Sequence, residues 1–168
     1  MFDRPFIDLG KRIVSKALDD RVSCAILIEV LRQVSSGPNE LVFVFSSQEE
    51  VGMRGVTSAA YSVDPDLGIA VDVTSVGDTP NSKMEVGLGK GPAIKVRDQG
   101  MIADPRVVRW MTETAEKSGI PYQLEILELG TTDARAIQVS RAGVPAGCVY
   151  IPARYIHSPS EIVDMGDV

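Results

Sequence analysis

Glu40-Leu-Val-Phe-Val-Phe-Ser46, running straight into Ser47-Gln-Glu-Glu-Val-Gly52, decides how this chain is read. The apolar run between Glu40 and Ser46 is β-branched and aromatic, with no polar alternation. Such a run predicts a central strand covered on both faces. Downstream, Leu67-Gly-Ile-Ala-Val71 predicts a second buried strand ending on Asp72, and further strands are expected at residues 93–96, 122–126 and 146–150. Helices fall between them. Asp19-Asp20-Arg21 precedes an apolar stretch at 22–34 that Ser35-Ser36-Gly37-Pro38 ends. This helix is apolar nearly all round, so burial on more than one face is expected.

A short helix is expected at 56–61. Asp104-Pro105-Arg106 opens the best helix, running to Lys117, with Asp as N-cap, Pro in the first turn and Gly119-Ile120-Pro121 as the stop. Another lies near 133–140, terminated by Gly143 and Pro145. Strands alternating with helices define an α/β fold, a three-layer sandwich with a mixed, mostly parallel central sheet. Residues 74–92 read as a long loop. Within it Gly87-Leu-Gly-Lys-Gly91 lacks phosphate-loop spacing and no helix follows, so it reads as a turn. The last residues, Ser160-Glu-Ile-Val-Asp-Met-Gly-Asp-Val168, read as the cap of a further helix. With no repeat, low-complexity tract or linker, the 168 residues form one domain, long enough to bury a core.

Composition narrows the function. A net charge of -6, with Lys and Arg scattered, excludes the basic patch that nucleic-acid binding requires. No apolar stretch approaches the length of a membrane span, and the opening Met-Phe-Asp-Arg-Pro-Phe-Ile-Asp-Leu-Gly-Lys11 has no leader-like apolar run after its charges. Cys24 and Cys148 lie far apart in apolar surroundings and read as reduced core thiols. A cytoplasmic location is the expectation.

Ligands of open α/β sheets bind beyond the carboxyl ends of the strands. There this sequence delivers Glu49 and Glu50, then Asp72, then His157, its only histidine; the turn before the first helix adds Asp19 and Asp20. Carboxylates so crowded repel unless cations lie among them. Carboxylate oxygen with imidazole nitrogen suits zinc, cobalt or manganese. Two ions bridged by a carboxylate would make a hydrolytic centre, and of two adjacent glutamates one can bind metal while the other stays free as general base. Each residue also has a plainer reading. Asp19 or Asp20 could cap a helix, Glu49 and Glu50 could be solvated loop residues, Asp72 could end a strand, and a lone histidine is more often structural than a ligand.

Lys16-Ala-Leu-Asp-Asp-Arg21, Gln48-Glu-Glu-Val-Gly52, Ala70-Val-Asp-Val-Thr74, Gly130-Thr-Thr-Asp-Ala134 and Arg154-Tyr-Ile-His-Ser-Pro159 stand in the order found in the tetrahedral (TET) metalloaminopeptidases, which this chain resembles over nearly its whole length. Glutamyl and deblocking aminopeptidases belong to that family, and some members have carried the names cellulase and endoglucanase. The resemblance implies removal of N-terminal residues from short peptides, with two zinc or cobalt ions. It implies Asp19 as the carboxylate bridging both ions, Glu50 and His157 as ligands of one, Asp72 as ligand of the other, and Glu49 as general base. Asp20 would orient the ligands, and Thr132, Asp133 and Arg135 would line the substrate side. The family's His-x-Asp motif, its inserted dimerisation domain and its final helix have no counterpart in this sequence, and Ser23 stands where Gly is usual. The expectation is therefore an N-terminally truncated catalytic domain, or one part of a split protein, that holds one ion alone. Homo-oligomers are expected of the family.

The sequence also admits two alternatives. A glycosidase needs two carboxyls facing each other about 5–9.5 Å apart, which the neighbours Glu49 and Glu50 cannot supply, although Glu49 with Asp72 could. The few aromatics, with Trp110 on a helix, offer no sugar platform. The other alternative is an inactive homologue that keeps the fold as a binding or assembly module; the incomplete metal set supports it, while a crowded carboxylate such as Glu49, without a task, argues against it.

Overall fold

The computed structural model describes residues 4–168; the first three residues of the segment read for a leader lie outside them. In chain order the elements are β1 (Ile7–Asp8), β2 (Arg12–Ser15), α1 (Leu18–Gln33), α2 (Arg54–Val63), β3 (Gly68–Ser75), β4 (Ala93–Arg97), α3 (Pro105–Ser118), β5 (Gln123–Ile126), α4 (Asp133–Gln138), β6 (Ala146–Arg154) and β7 (Glu161–Asp164). β6 is the organising strand. It pairs with β3 along residues 146–153, with β4 at Val149 and Tyr150, and with β7 at Ala153 and Arg154.

Side chains alternate across β6 and β3, and the alternation builds the layers. Val73, Ile151, Ala153 and Val163 pack with Leu18 and Val22 of α1, while Ile94 and Val149 meet Val107 and Met111 of α3. Ala70, Cys148 and Tyr150 face the other way, toward Ala134 of α4, and α2 packs on α4 through Met53, Val56, Ala136 and Ile137. The three-layer α/β sandwich is as expected. Cys24 and Cys148 are both free thiols, and Cys148 is buried.

α3 follows its sequence signals closely. Asp104 accepts the main-chain N–H of Arg106 at 2.8 Å, and Gly119 takes the left-handed conformation that ends the helix. The Gly87–Gly91 turn is also explained. The N–H groups of Gly89 and Gly91 both donate to the Asp167 carboxylate at 2.7 Å, so the chain's own anion fills the small nest they form. Gly91 has φ +91, and a Cβ there would sit 2.0 Å from the Pro121 carbonyl.

Four expectations are corrected. The sheet is mixed but mostly antiparallel: β1–β2, β2–β7, β4–β6 and β6–β7 run antiparallel, and only β3–β6 and β4–β5 run parallel. Short connections make β1–β2 and β6–β7 antiparallel, and the α3 crossover makes β4–β5 parallel; β2–β7 and β4–β6 are antiparallel across long stretches of chain, where local sequence carries no direction. The end of the chain forms β7 instead of a helix cap, because Glu161-Ile-Val-Asp164 has β-branched residues to pair with β2 and β6. Residues 41–45 belong to no strand of the sheet; Leu41, Val42, Val44 and Phe45 are exposed. Apolar composition predicts burial, but a strand exists only where a ladder partner does. α1 buries just Leu18, Val22 and Ser23 along the sheet, while Ile28, Val30, Leu31 and Val34 are exposed, so only one of its faces is covered. No helix among the described residues is long and apolar enough to cross a membrane.

Candidate metal centre

Asp72 and Thr74 lie on the α4 side of β3, two residues apart. Asp72 sits within the strand, opposite Tyr150 of β6, instead of ending it. One of its oxygens accepts the N–H of Val73 at 2.8 Å, and the other accepts the Thr132 hydroxyl at 2.6 Å. Thr132, expected to line the substrate side, is instead fully buried and orients Asp72 from the turn leading into α4.

That turn is itself anchored from beneath. Asp98 accepts the Thr131 hydroxyl at 3.2 Å and the N–H groups of Gly100 and Met101, while its other oxygen pairs with Lys95 Nζ at 3.0 Å. Lys95 also lies 3.6 Å from Glu125 and 4.3 Å from the centre of the Tyr150 ring, and Glu125 accepts from Thr74. This buried network escaped the sequence reading. Its only outward sign is charge inside otherwise β-rich strands, which resembles ordinary surface alternation.

Asp19 and Asp20 stand in a kink at the start of α1. Both have non-helical φ/ψ, and Ala17 before them is left-handed with φ 53. The helix-cap reading holds for Asp20, whose carboxylate lies against the backbone N–H of Ser23 three residues on, and is set aside for Asp19. Gln48, just before the two glutamates, has φ 61, and His157 has φ 64. Each of the turns bearing Asp19, Glu49 and His157 thus carries a residue in a conformation that costs an L-amino acid of order 1–3 kcal/mol, a pattern that concentrates at functional sites.

These turns converge. His157 Nε2 stands 3.2 Å from a carboxylate oxygen of Asp19 and 3.1 Å from one of Glu50. Ligand atoms on a tetrahedral ion at about 2.0–2.1 Å are themselves about 3.3–3.4 Å apart, so the spacing fits one divalent cation. A second group joins Asp19, Asp20 and Asp72, whose oxygens lie within 4.8 Å of one another. Asp20 Oδ1 there is buried with no hydrogen-bond partner, as an oxygen facing a cation would be. Asp19 is common to both groups. Asp20, expected only to orient ligands, has its carboxylate in the second group itself.

Glu49 belongs to neither group but lies in their field. Burial, followed by the charges of Asp72, Asp133, Glu50 and Asp19, pushes its carboxyl up to about 7. Burial and then Asp72 and Glu50 push Asp19 up to about 7, and burial with Asp72 pushes Asp20 up to about 8. Burial also raises Asp72 against its two hydrogen bonds, and raises Asp133 against the hydroxyl that Ser46 donates to it. Arg135 is exposed, its stem alongside Gly100. The rim is thus built to take up positive charge, either as protons or as cations.

A pH dependence follows for chain stripped with chelator. The folded carboxyls titrate near 7 for Asp19 and Glu49 and near 8 for Asp20, above their ordinary values of 3.8, 4.5 and 3.8. The folded state holds these protons more tightly, so their contribution to stability is complete below pH about 4 and is lost as pH rises through 7–8. The melting temperature should fall by several degrees from pH 5 to pH 8, and added zinc or cobalt should restore it at pH 8. A flat profile across that window would contradict the crowded-carboxylate account.

An α/β sandwich that gathers carboxylates and one imidazole at one rim has the layout of a metallohydrolase. The chain belongs to the M42 glutamyl aminopeptidase family, whose model matches residues 1–168. It is 43% identical to an aminopeptidase from the archaeon Desulfurococcus kamchatkensis, with a TM-score of 0.95 over 99% of this chain and 48% of that one. A TET aminopeptidase from the archaeon Thaumarchaeota SCGC AB-539-E09 matches with a TM-score of 0.91 at 34% identity, over 97% and 48% of the two chains. A lysyl aminopeptidase of Pyrococcus furiosus is 39% identical over 94% of this chain and 45% of its own length. The chain spans about half the length of the relatives it matches.

Proposed function

We propose that this chain is the metal-binding catalytic domain of a cytoplasmic aminopeptidase that releases N-terminal residues from short peptides and works in a homo-oligomer. The observation that carries the proposal is the double role of Asp19, one carboxylate common to two groups of potential ligands. Asp19, Glu50 and His157 would hold one zinc or cobalt ion, and Asp19 with Asp72 the other, with Asp20 beside them. Bound there, divalent ions supply a Lewis acid for the scissile carbonyl and lower the pKa of water. The first group has the protein's single imidazole and should bind tightly; the second, of carboxylates alone, should bind weakly.

Glu49 takes the proton of the attacking water and passes it to the leaving amine, a task suited to a carboxyl tuned toward neutrality. Thr132 holds Asp72 in place. Asp133 and Arg135, at the start of α4, would line the substrate side. Hydrolysis of aminoacyl-p-nitroanilides by cobalt- or zinc-loaded protein, abolished by EDTA, with none on carboxymethylcellulose, is the expected result. EDTA-resistant cellulose cleavage would overturn the proposal in favour of a glycosidase.

A further inference from the structure

We infer that Glu161, outside both candidate ligand groups, is the positioning residue for the ion site of Asp19, Glu50 and His157. Its carboxylate is divided between two main-chain donors. One oxygen accepts the N–H of Asp19 at 2.9 Å and the other accepts the N–H of His157 at 3.0 Å. Asp19 begins α1, and His157 lies in the turn between β6 and β7. Glu161 ties the main chains of these two turns, which otherwise meet through the 3.2 Å contact of His157 Nε2 with Asp19, and it is 2% exposed.

The arrangement answers a mechanical problem. The His157 side chain is 67% exposed and its backbone left-handed, so packing does little to fix it. Hydrogen bonds to a charged acceptor are the stronger kind, and a buried carboxylate with both oxygens engaged has a single orientation. Glu161 opens β7, which pairs with β2 on one side and β6 on the other, so the sheet fixes its position. The strand therefore sets the separation of two ligand-bearing backbones, and with it the 3.2 Å between His157 Nε2 and Asp19. Its negative charge adds to the pull on a cation.

This inference rests on the metal-centre reading above, and the test separates the two. Zinc affinity of the purified chain would be measured by chelator competition, and ligand geometry by the visible absorption of bound cobalt. Glu161→Gln keeps the shape but turns one acceptor into a donor facing an N–H. It should weaken zinc binding about 10–100-fold and alter the cobalt spectrum. Val163→Ala, a buried core change in the same strand, should lower the melting temperature and leave both readouts as in wild type. In wild type, the Asp19 and His157 amides should both exchange slowly with solvent, which requires no variant to fold. Equal affinities for Glu161→Gln and wild type, an equal loss in Val163→Ala, or fast exchange at either amide would overturn the role of Glu161 alone. Failure of wild type to bind any divalent ion would overturn the metal reading, and this inference with it.

Discussion

Asp19→Asn should lose zinc affinity by more than about 100-fold, beyond the loss expected for an outer partner of the site. The substitution changes little in volume. It removes one carboxylate from both candidate groups, the one that His157 Nε2 approaches at 3.2 Å and the one that it forms with Asp20 and Asp72. Deleting Glu50 or Asp72 would damage one group only. The thermal readout runs in two directions. Wild type with zinc at 100 times its Kd gains about 2.7 kcal/mol, roughly 5–10 °C in Tm for a chain of this size, and the variant should gain almost none. In chelator at pH 8 the variant should melt above wild type, because a charge that repels Asp72 and Glu50 is gone. A variant that keeps the full zinc-induced shift would show that Asp19 is not a shared ligand.

The residues concerned were legible in the sequence because they stand next to features with a strong local signal. Glu49 and Glu50 follow an apolar run, Asp72 lies in a β-branched strand, and His157 is the single histidine. α3 was equally plain, since capping by Asp104 and termination at Gly119 are decided within a turn of the chain. What the sequence concealed depends on distant partners. Residues 41–45 have every local property of a core strand and still pair with nothing in the sheet. Glu161-Ile-Val-Asp164 resembled a helix cap until β2 and β6 flanked it. The direction of β2 against β7 and of β4 against β6 is set between residues far apart in the chain and leaves no mark on residue type. Glu161 gave no signal, because a carboxylate that accepts main-chain N–H groups four residues and 142 residues away has no short-range pattern.

Glu49→Gln separates binding from chemistry. Glu49 lies outside both ligand groups, so metal content and the zinc-induced rise in Tm should match wild type. Glutamine fills the same space and can accept a hydrogen bond, but it cannot hold the proton removed from water. Loss of general-base catalysis should lower kcat on an aminoacyl-p-nitroanilide by about 10²–10⁴-fold, with KM little changed, because the variant removes an interaction made chiefly in the transition state. The pH profile adds an independent check. The base works only when deprotonated; burial and then the surrounding carboxylates push it up to about 7, and the carboxylates' share of that push is cancelled when cations bind among them. The acid limb of kcat against pH in the metal-loaded wild type should therefore lie below 7 and should vanish in Glu49→Gln. If the variant keeps both the rate and that limb, the proton passes through another group, and Asp133, half-buried near Glu49 with one oxygen buried and unpartnered, becomes the residue to replace.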